Sequence, residues 1–197
     1  MDHEMNARSR SPIRRRGRAG FSLVELMTVV LITGILAAIA IPTFSGYVYK
    51  SRTSEAVHFL GVIKLKQEGF RSEFGTYAPG VGAETDPADM AATFTPDETT
   101  MTGQSRVILP ADLPAAFTTL GARPDGAIRF AYGWVAGTAA DADDANLDAA
   151  PYDLPPPFDH YFIAQAVSDL NGDGTFCTFE VTSFTRGAWY TPVRGWD

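Results

Sequence analysis

The sequence has few of the cysteine and histidine residues on which disulfide-bonded domains and many enzyme active sites depend. With one cysteine, Cys177, among 197 residues, no disulfide can form within the chain. The three histidines, His3, His58 and His160, are far apart and show no metal-ligand spacing. No nucleophile elbow, phosphate-binding glycine loop or paired-cysteine motif occurs. These absences argue against an enzyme, and we expect a protein whose core depends on packing.

Charge is absent from one long stretch of the chain. No charged residue occurs from Leu26 to Tyr49, and Phe21 to Ile41 is rich in Leu, Ile, Val and Ala. A run of about 20 apolar residues is long enough to cross a bilayer as one helix. It is also longer than the apolar core of a secretory signal peptide. The run therefore predicts a membrane helix that stays in the mature protein.

The residues before the apolar run are strongly basic. Six arginines lie there, namely Arg8, Arg10, Arg14, Arg15, Arg16 and Arg18. Because basic residues stay on the cytoplasmic side, the N-terminal end of the helix is expected in the cytoplasm. Glu25 then lies just inside that face of the membrane. A carboxylate at such a depth is costly to bury, and we expect it to have a partner.

These features together resemble the class III signal of type IV prepilins and type II secretion pseudopilins. The pattern is a basic leader ending in Gly20, then Phe21, then Glu25, the apolar run and the sequence IPTF at Ile41–Phe44. The resemblance is strong over Arg14–Tyr77 and weak beyond it. It implies an α+β type IV pilin fold, with a long N-terminal helix whose first half is transmembrane, packed on a 3–4-stranded antiparallel sheet.

The resemblance also implies how the chain is processed and assembled. A prepilin peptidase would cleave after Gly20 and methylate the new N-terminal amine of Phe21. The helix would then polymerise through Phe21, Glu25 and Pro42, with the Glu25 carboxylate paired to the Phe21 amine of an adjacent subunit. Loss of residues 1–20 changes the formal net charge from −7 to −11. A mature chain that acidic is a poor general binder of nucleic acid, and no direct nucleic-acid site is evident.

The implied partners are other pilin or pseudopilin subunits, the peptidase and N-methyltransferase, and an inner-membrane assembly platform. The implied location is the bacterial inner membrane, as a single-pass protein with its head in the periplasm, and then an extracellular pilus or a periplasmic pseudopilus. A pilus subunit would serve adhesion, motility or DNA uptake. A pseudopilin would serve protein secretion, and a third alternative is a binding or enzymatic domain on a plain membrane anchor. All three stay open at this point.

The sequence pattern divides the chain into five segments. They are the leader 1–20, the transmembrane and assembly half of the helix 21–49, its amphipathic half 50–75, an irregular segment 76–126 with a short helix, and a sheet with a C-terminal tail 127–197. Within the amphipathic half, core positions recur at spacings of three and four, at Ala56, Leu60, Ile63, Gln67, Phe70 and Phe74. Gly75 is a helix stop. Ala78–Met101 is predicted to be a surface loop, and Leu113–Leu120 a helix capped by Asp112.

Alternation of large and small side chains predicts three strands. The first contains Ile128, Phe130, Tyr132 and Trp134, with one buried face, and the others cover His160–Val167 and Phe176–Phe184. An acidic, proline-containing loop from Thr138 to Phe158 joins the first two. The aromatic tail from Arg186 to Asp197 is either packed on the sheet or a contact patch.

One acidic stretch has a spacing that could hold a metal ion. The sequence DLNGDGTFCTFE from Asp169 places Asn171, Asp173 and Glu180 at spacings that supply oxygen ligands to calcium in EF-hand loops. Strand-like flanks argue against an EF-hand, and the alternative is a glycine-rich hairpin turn between the second and third strands. Cys177 in this stretch is expected to be a buried, unreactive thiol.

Overall fold

A computed structural model describes residues 20–102, 104, 106–109, 111–138, 140–141, 159–184 and 186–190, without the side chains of 189 and 190. The leader 1–19, most of the acidic loop between the first two strands, and the tail after residue 190 lie outside the described residues. The chain divides into two compact units, Met1–Pro42 and Thr43–Asp197. Helix α1, Leu23–Phe74, contributes residues to both.

The Met1–Pro42 unit presents the apolar run as exposed helix. Helix α1 begins at Leu23, and the described residues of this unit are all exposed. An 18-residue window of α1 has a mean hydropathy of 2.4 and none of it is buried. By length and composition, α1 can therefore span a membrane.

In the Thr43–Asp197 unit, α1 turns one face to the core, as its spacing predicts. Ala56, Leu60, Ile63 and Gln67 have no exposed surface. The expectation for Phe74 is wrong, because its side chain is 60% exposed at the end of the helix. The helix ends there because Gly75 has a φ of 79°, and the Gly75 N–H donates to the carbonyl of Arg71 at 2.8 Å.

In the described part of the chain, four antiparallel strands form the sheet against which α1 packs. They are β1 (Ala131–Thr138), β2 (His160–Ser168), β3 (Cys177–Thr182) and β4 (Trp189–Tyr190), in the order β1-β2-β3-β4. The predicted α+β class is confirmed. The predicted start of the first strand is three residues too early, since Ile128 lies before β1 and forms an isolated bridge with Arg106.

Aromatic side chains fill the core between α1, the sheet and the connection that follows α1. Phe59 meets Tyr132 edge to face at 4.6 Å between ring centroids, and Phe117 meets Trp134 at 4.7 Å. Offset and edge-to-face pairs of this kind add to the burial energy of each ring. Phe59 lies outside the spacing pattern, and only the packed core shows that it is buried.

The sheet is buried on both faces at β1, which corrects the expectation of one buried face. Every residue from 131 to 136 in β1 is buried. The second face is covered by the connection after α1, whose Thr93 and Phe94 lie so close to Gly133 that a side chain at Gly133 would collide with them. The predicted surface loop Ala78–Met101 therefore supplies part of the core, and both of its end residues are buried.

The connection between α1 and β1 contains several short helices. Its described residues form the 3₁₀ turns Val81–Ala83, Pro87–Asp89 and Glu98–Thr100 and the helices α2 (Met90–Thr93) and α3 (Ala115–Leu120). The prediction that a helix starts at Leu113 with Asp112 as its cap is wrong. Pro114 has extended backbone angles and is the N-cap, without a side-chain cap bond. The reason is that a residue before proline disfavours the helical conformation.

Candidate functional site

The predicted cleavage position lies in non-helical, exposed backbone. Gly20, Phe21 and Ser22 precede α1, and the Phe21 side chain is 78% exposed. Peptidases act on exposed chain outside regular structure. The local conformation at Gly20 and Phe21 is therefore compatible with cleavage between them.

Glu25 is part of a capping box at the start of α1. The Ser22 Oγ accepts the Glu25 N–H at 3.1 Å, and the Ser22 N–H donates to Oε2 of Glu25 at 3.5 Å. This reciprocal pair satisfies two of the amide groups that lack partners at a helix start. The negative charge in the first turn also interacts favourably with the helix dipole. The sequence argument on Glu25 concerned its burial in the membrane and its pairing during assembly, and it missed the capping signal S-x-x-E at Ser22–Glu25.

The first half of α1 forms an exposed apolar surface with satisfied hydroxyls. Side chains more than half exposed include Leu23, Val24, Leu26, Met27, Val29, Val30, Leu31, Ile32, Ile35, Leu36, Ile39 and Ile41. The two threonines in this stretch donate back to the helix, Thr28 to the Glu25 carbonyl at 2.9 Å and Thr33 to the Val29 carbonyl at 2.9 Å. Exposed apolar surface of this extent marks a lipid or protein contact. Pro42, the third predicted assembly residue, lies inside α1, which continues past it.

The acidic turn between β2 and β3 is held by its first residue. Asp169 is buried, and its Oδ1 accepts the N–H of Gly172 at 2.7 Å and of Asp173 at 3.2 Å, while its Oδ2 accepts the N–H of Gly174 at 2.9 Å. Gly172 and Gly174 have φ values of 78° and 85°, which residues other than glycine rarely adopt. The stretch is thus a glycine-rich hairpin turn, one of the two alternatives that the sequence left open.

The four predicted calcium ligands do not converge in this arrangement. Asn171 Nδ2 donates to Asp173 Oδ2 at 2.8 Å, whereas Glu180 lies inside the sheet and accepts from Gln165 Nε2 at 2.7 Å. Burial raises the pKa of Glu180, and the bond from Gln165 opposes that shift. Among the described residues, no three His, Cys, Asp or Glu side chains are grouped so that they could hold a metal ion. Calcium binding stays a prediction.

Cys177 is confirmed as a buried thiol. Its Sγ donates to the carbonyl of Ser168 at 3.0 Å, and burial raises its pKa to about 12. Because the thiolate is the reactive form, Cys177 is a poor nucleophile.

Two polar clusters on α1 were missed by the sequence argument. Gln67 donates Nε2 to the Ala78 carbonyl at 3.0 Å and accepts the Ala78 N–H on Oε1 at 2.8 Å. Glu55 Oε1 accepts the N–H of Arg129 at 2.7 Å, and Glu55 Oε2 lies 3.6 Å from Nη1 of Arg129. An amide at an otherwise apolar position was the available signal for Gln67, whereas Glu55 has no such signal because its partner lies far along the chain.

The geometry described so far is that of an exposed apolar helix with a capped, acidic first turn, followed by an amphipathic half seated on an antiparallel sheet. Residues 15–41 match the prokaryotic N-terminal methylation motif. This motif confirms the resemblance to type IV prepilins that the sequence indicates.

The chain is similar over part of its length to bacterial proteins named as pilins or fimbrial proteins. It is 42% identical over 73 residues to the fimbrial protein EcpC of Eikenella corrodens, a match that covers 37% of this chain and 42% of that protein. It is 49% identical over 59 residues to the type IV major pilin protein PilA of Myxococcus xanthus strain DK1622, covering 30% of this chain and 27% of that protein. It is 39% identical over 75 residues to the type IV major pilin protein PilE1 of Neisseria gonorrhoeae, covering 37% and 32%.

These matches span less than half the length of each relative. All three relatives are named as pilin or fimbrial proteins and none as an enzyme, which agrees with the prediction that the chain is not an enzyme.

Proposed function

We propose that the chain is a structural subunit of a type IV pilus, anchored in the inner membrane by α1 before it is assembled. The observation that carries this proposal is the exposed apolar first half of α1, most of which lies within the methylation motif at residues 15–41. The names of the similar proteins support a surface filament rather than a secretion pseudopilus. The head would lie in the periplasm and later on the extracellular filament.

Assembly would move the apolar helix from lipid into contact with other subunits. Lipid and leucine side chains are similarly apolar, so close packing rather than the hydrophobic effect would drive the exchange. The buried Glu25 carboxylate would pair with the positive N-terminal amine of Phe21 on the adjacent subunit. An unpaired carboxylate in such a core costs several kcal/mol, and the pair would therefore set the register between neighbours.

Two substitutions at Glu25 separate charge pairing from helix capping. Glu25→Gln keeps an oxygen that can accept the Ser22 N–H, since glutamine also serves in capping boxes, but it removes the charge. We expect both Glu25→Ala and Glu25→Gln to be inserted and cleaved, and both to give at least about tenfold fewer sheared filaments, because even 1.4 kcal/mol changes an equilibrium tenfold. Filament yield is measured by immunoblot and electron microscopy. A wild-type yield from Glu25→Gln would contradict the pairing and leave only the cap.

Processing has its own test. The mature protein should begin at an N-methylated Phe21, which mass spectrometry of the purified chain detects directly. Gly20→Glu should abolish cleavage by the peptidase and leave an unshifted precursor. A chain from cells that still begins at Met1 would point instead to a domain on a plain anchor.

Location separates the pilus from the secretion pseudopilus. Immunogold labelling of filaments on intact cells should decorate surface fibres if the chain is a pilus subunit. Labelling confined to the periplasm, together with a loss of secreted proteins when the chain is deleted, would support the pseudopilin alternative.

A further inference from the structure

The first charges after the apolar run are basic. Between Glu25 and Glu55 the chain contains only two charged residues, Lys50 and Arg52, and they directly follow the run that ends at Tyr49. From Phe21 onward the formal net charge is −11, so a pair of cations at this boundary is opposite in sign to the chain as a whole. A randomly placed pair of charges in this chain would more often be acidic.

The fold places a third cation, Arg129, near Arg52, one member of this pair. Arg129, which directly precedes Phe130 and the sheet, is held against α1 by Glu55, which accepts its backbone N–H at 2.7 Å and lies 3.6 Å from its guanidinium. Glu55 and Arg129 border an open depression of about 620 Å³, whose other lining residues are Ser51, Arg52, Ser54 and His58. Among the described residues that line it, one carboxylate accompanies two guanidinium groups.

Tyrosines accompany the cations. Tyr47 is 68% exposed, and the Arg52 guanidinium lies 5.4 Å from the centroid of the Tyr49 ring. Tyrosine is enriched where membrane helices leave the bilayer, and long basic side chains there extend their charged ends to the headgroups. Counted along the chain, Lys50 lies 29 residues after Phe21. That exceeds the roughly 20 residues needed to cross the hydrocarbon core, so Lys50 and Arg52 fall at headgroup depth.

We propose that Lys50, Arg52 and Arg129, here termed the basic cluster, bind the phosphate of anionic lipid headgroups on the leaflet where α1 leaves the membrane. Guanidinium groups match phosphate with paired N–H donors, and ammonium groups add charge. The contact holds the Thr43–Asp197 unit at the membrane surface before assembly. The proposal rests on the membrane-inserted state of the proposed function. A lipid is favoured over nucleic acid because the rest of the mature chain repels polyanions in solution, whereas α1 brings the cluster to the lipid surface.

The test uses the full chain in nanodiscs of phosphatidylcholine, with or without phosphatidylglycerol. Hydrogen–deuterium exchange is measured on peptides that cover residues 50–58 and 127–132. Phosphatidylglycerol should slow exchange in both peptides, and added salt should reverse the effect because it screens surface charge. Each cation near an anionic surface contributes about 1 kcal/mol, so Lys50→Gln with Arg52→Gln should reduce the protection about 20- to 30-fold. Arg129→Gln keeps its backbone bond to Glu55 and should reduce the protection about fivefold.

A matched double variant controls for net charge. Lys66→Gln with Arg186→Gln removes two exposed cations outside the cluster, the second beyond the end of β3 that lies opposite Arg129 along the sheet, and should keep the lipid-dependent protection. Equal exchange in the two lipid compositions, or an equal loss in the control variant, would overturn the proposal. A fall in filament yield in the Lys50→Gln, Arg52→Gln variant, with its lipid-dependent protection unchanged, would also overturn the proposal. The cluster would then contact a neighbouring subunit instead of lipid. Failure of the proposed function is recognised separately, as a chain that does not enter nanodiscs.

Discussion

Gln67 is the polar side chain on which the junction between α1 and its connection depends. It has no exposed surface, and it makes two hydrogen bonds to the backbone of Ala78, which is itself buried. The Ala78 carbonyl also accepts from Trp134 Nε1 at 3.1 Å, so this oxygen keeps a partner if Gln67 is replaced. The Ala78 N–H bonds to the Gln67 side chain. Replacing Gln67 therefore leaves a buried donor without that acceptor.

Gln67→Met isolates this effect because methionine is unbranched, similar in size, and comparable in helix propensity. A buried donor left without its partner costs about 1–3 kcal/mol, and the lost second bond adds about 1 kcal/mol. Burial of a thioether instead of an amide offsets part of that sum. We expect the free energy of unfolding to fall by about 2 kcal/mol, which exceeds the roughly 0.5 kcal/mol typical of surface changes.

The assay is urea unfolding of the full chain in mild detergent, followed by the fluorescence of the tryptophans, including buried Trp134. With a slope of about 1–3 kcal/mol/M, a loss of 2 kcal/mol lowers the midpoint by about 1 M. Lys66→Met, an exposed change one residue earlier on α1, is the control and should leave the midpoint unchanged. If Gln67→Met unfolds at the same urea concentration as the control, the reasoning about the buried Ala78 N–H is refuted.

Three further predictions concern the sheet and its turn. Gly133→Ala should lower the free energy of unfolding by about 1–3 kcal/mol in the same urea assay, because the new methyl group collides with the end of α2. Gly126→Ala is the control, since Gly126 has open space around it, and it should leave the urea midpoint unchanged. Burial raises the pKa of Glu180, so the folded chain holds a proton on Glu180 at pH values where the unfolded chain has lost it. The free energy of unfolding therefore falls as pH rises from the unfolded pKa through the folded pKa. Glu180→Gln, which can still accept from Gln165, should therefore gain stability relative to wild type between about pH 4 and pH 8; a pH-independent difference would contradict this. Calcium should raise the melting temperature of wild type but not of Asp173→Asn, and no shift in wild type would remove the calcium prediction.

Secondary structure was predictable wherever the pattern is local. The apolar run, the spacing of Ala56, Leu60 and Ile63, and the stop at Gly75 all depend on residues a few positions apart, and the structure confirms them. Boundaries were less predictable. The first strand begins at Ala131 rather than Ile128, because Ile128 bridges to a segment outside the sheet.

The sequence by itself determined the resemblance to type IV prepilins, since the methylation motif and the uncharged run share one continuous stretch of chain and can be read without a fold. Only the tertiary structure decided what the polar side chains of α1 do. Glu55 and Arg129 are 74 residues apart and Gln67 and Ala78 are 11 apart. Both pairings arise because packing α1 on the sheet removes backbone groups from water, and each buried N–H or carbonyl then needs a partner nearby in space.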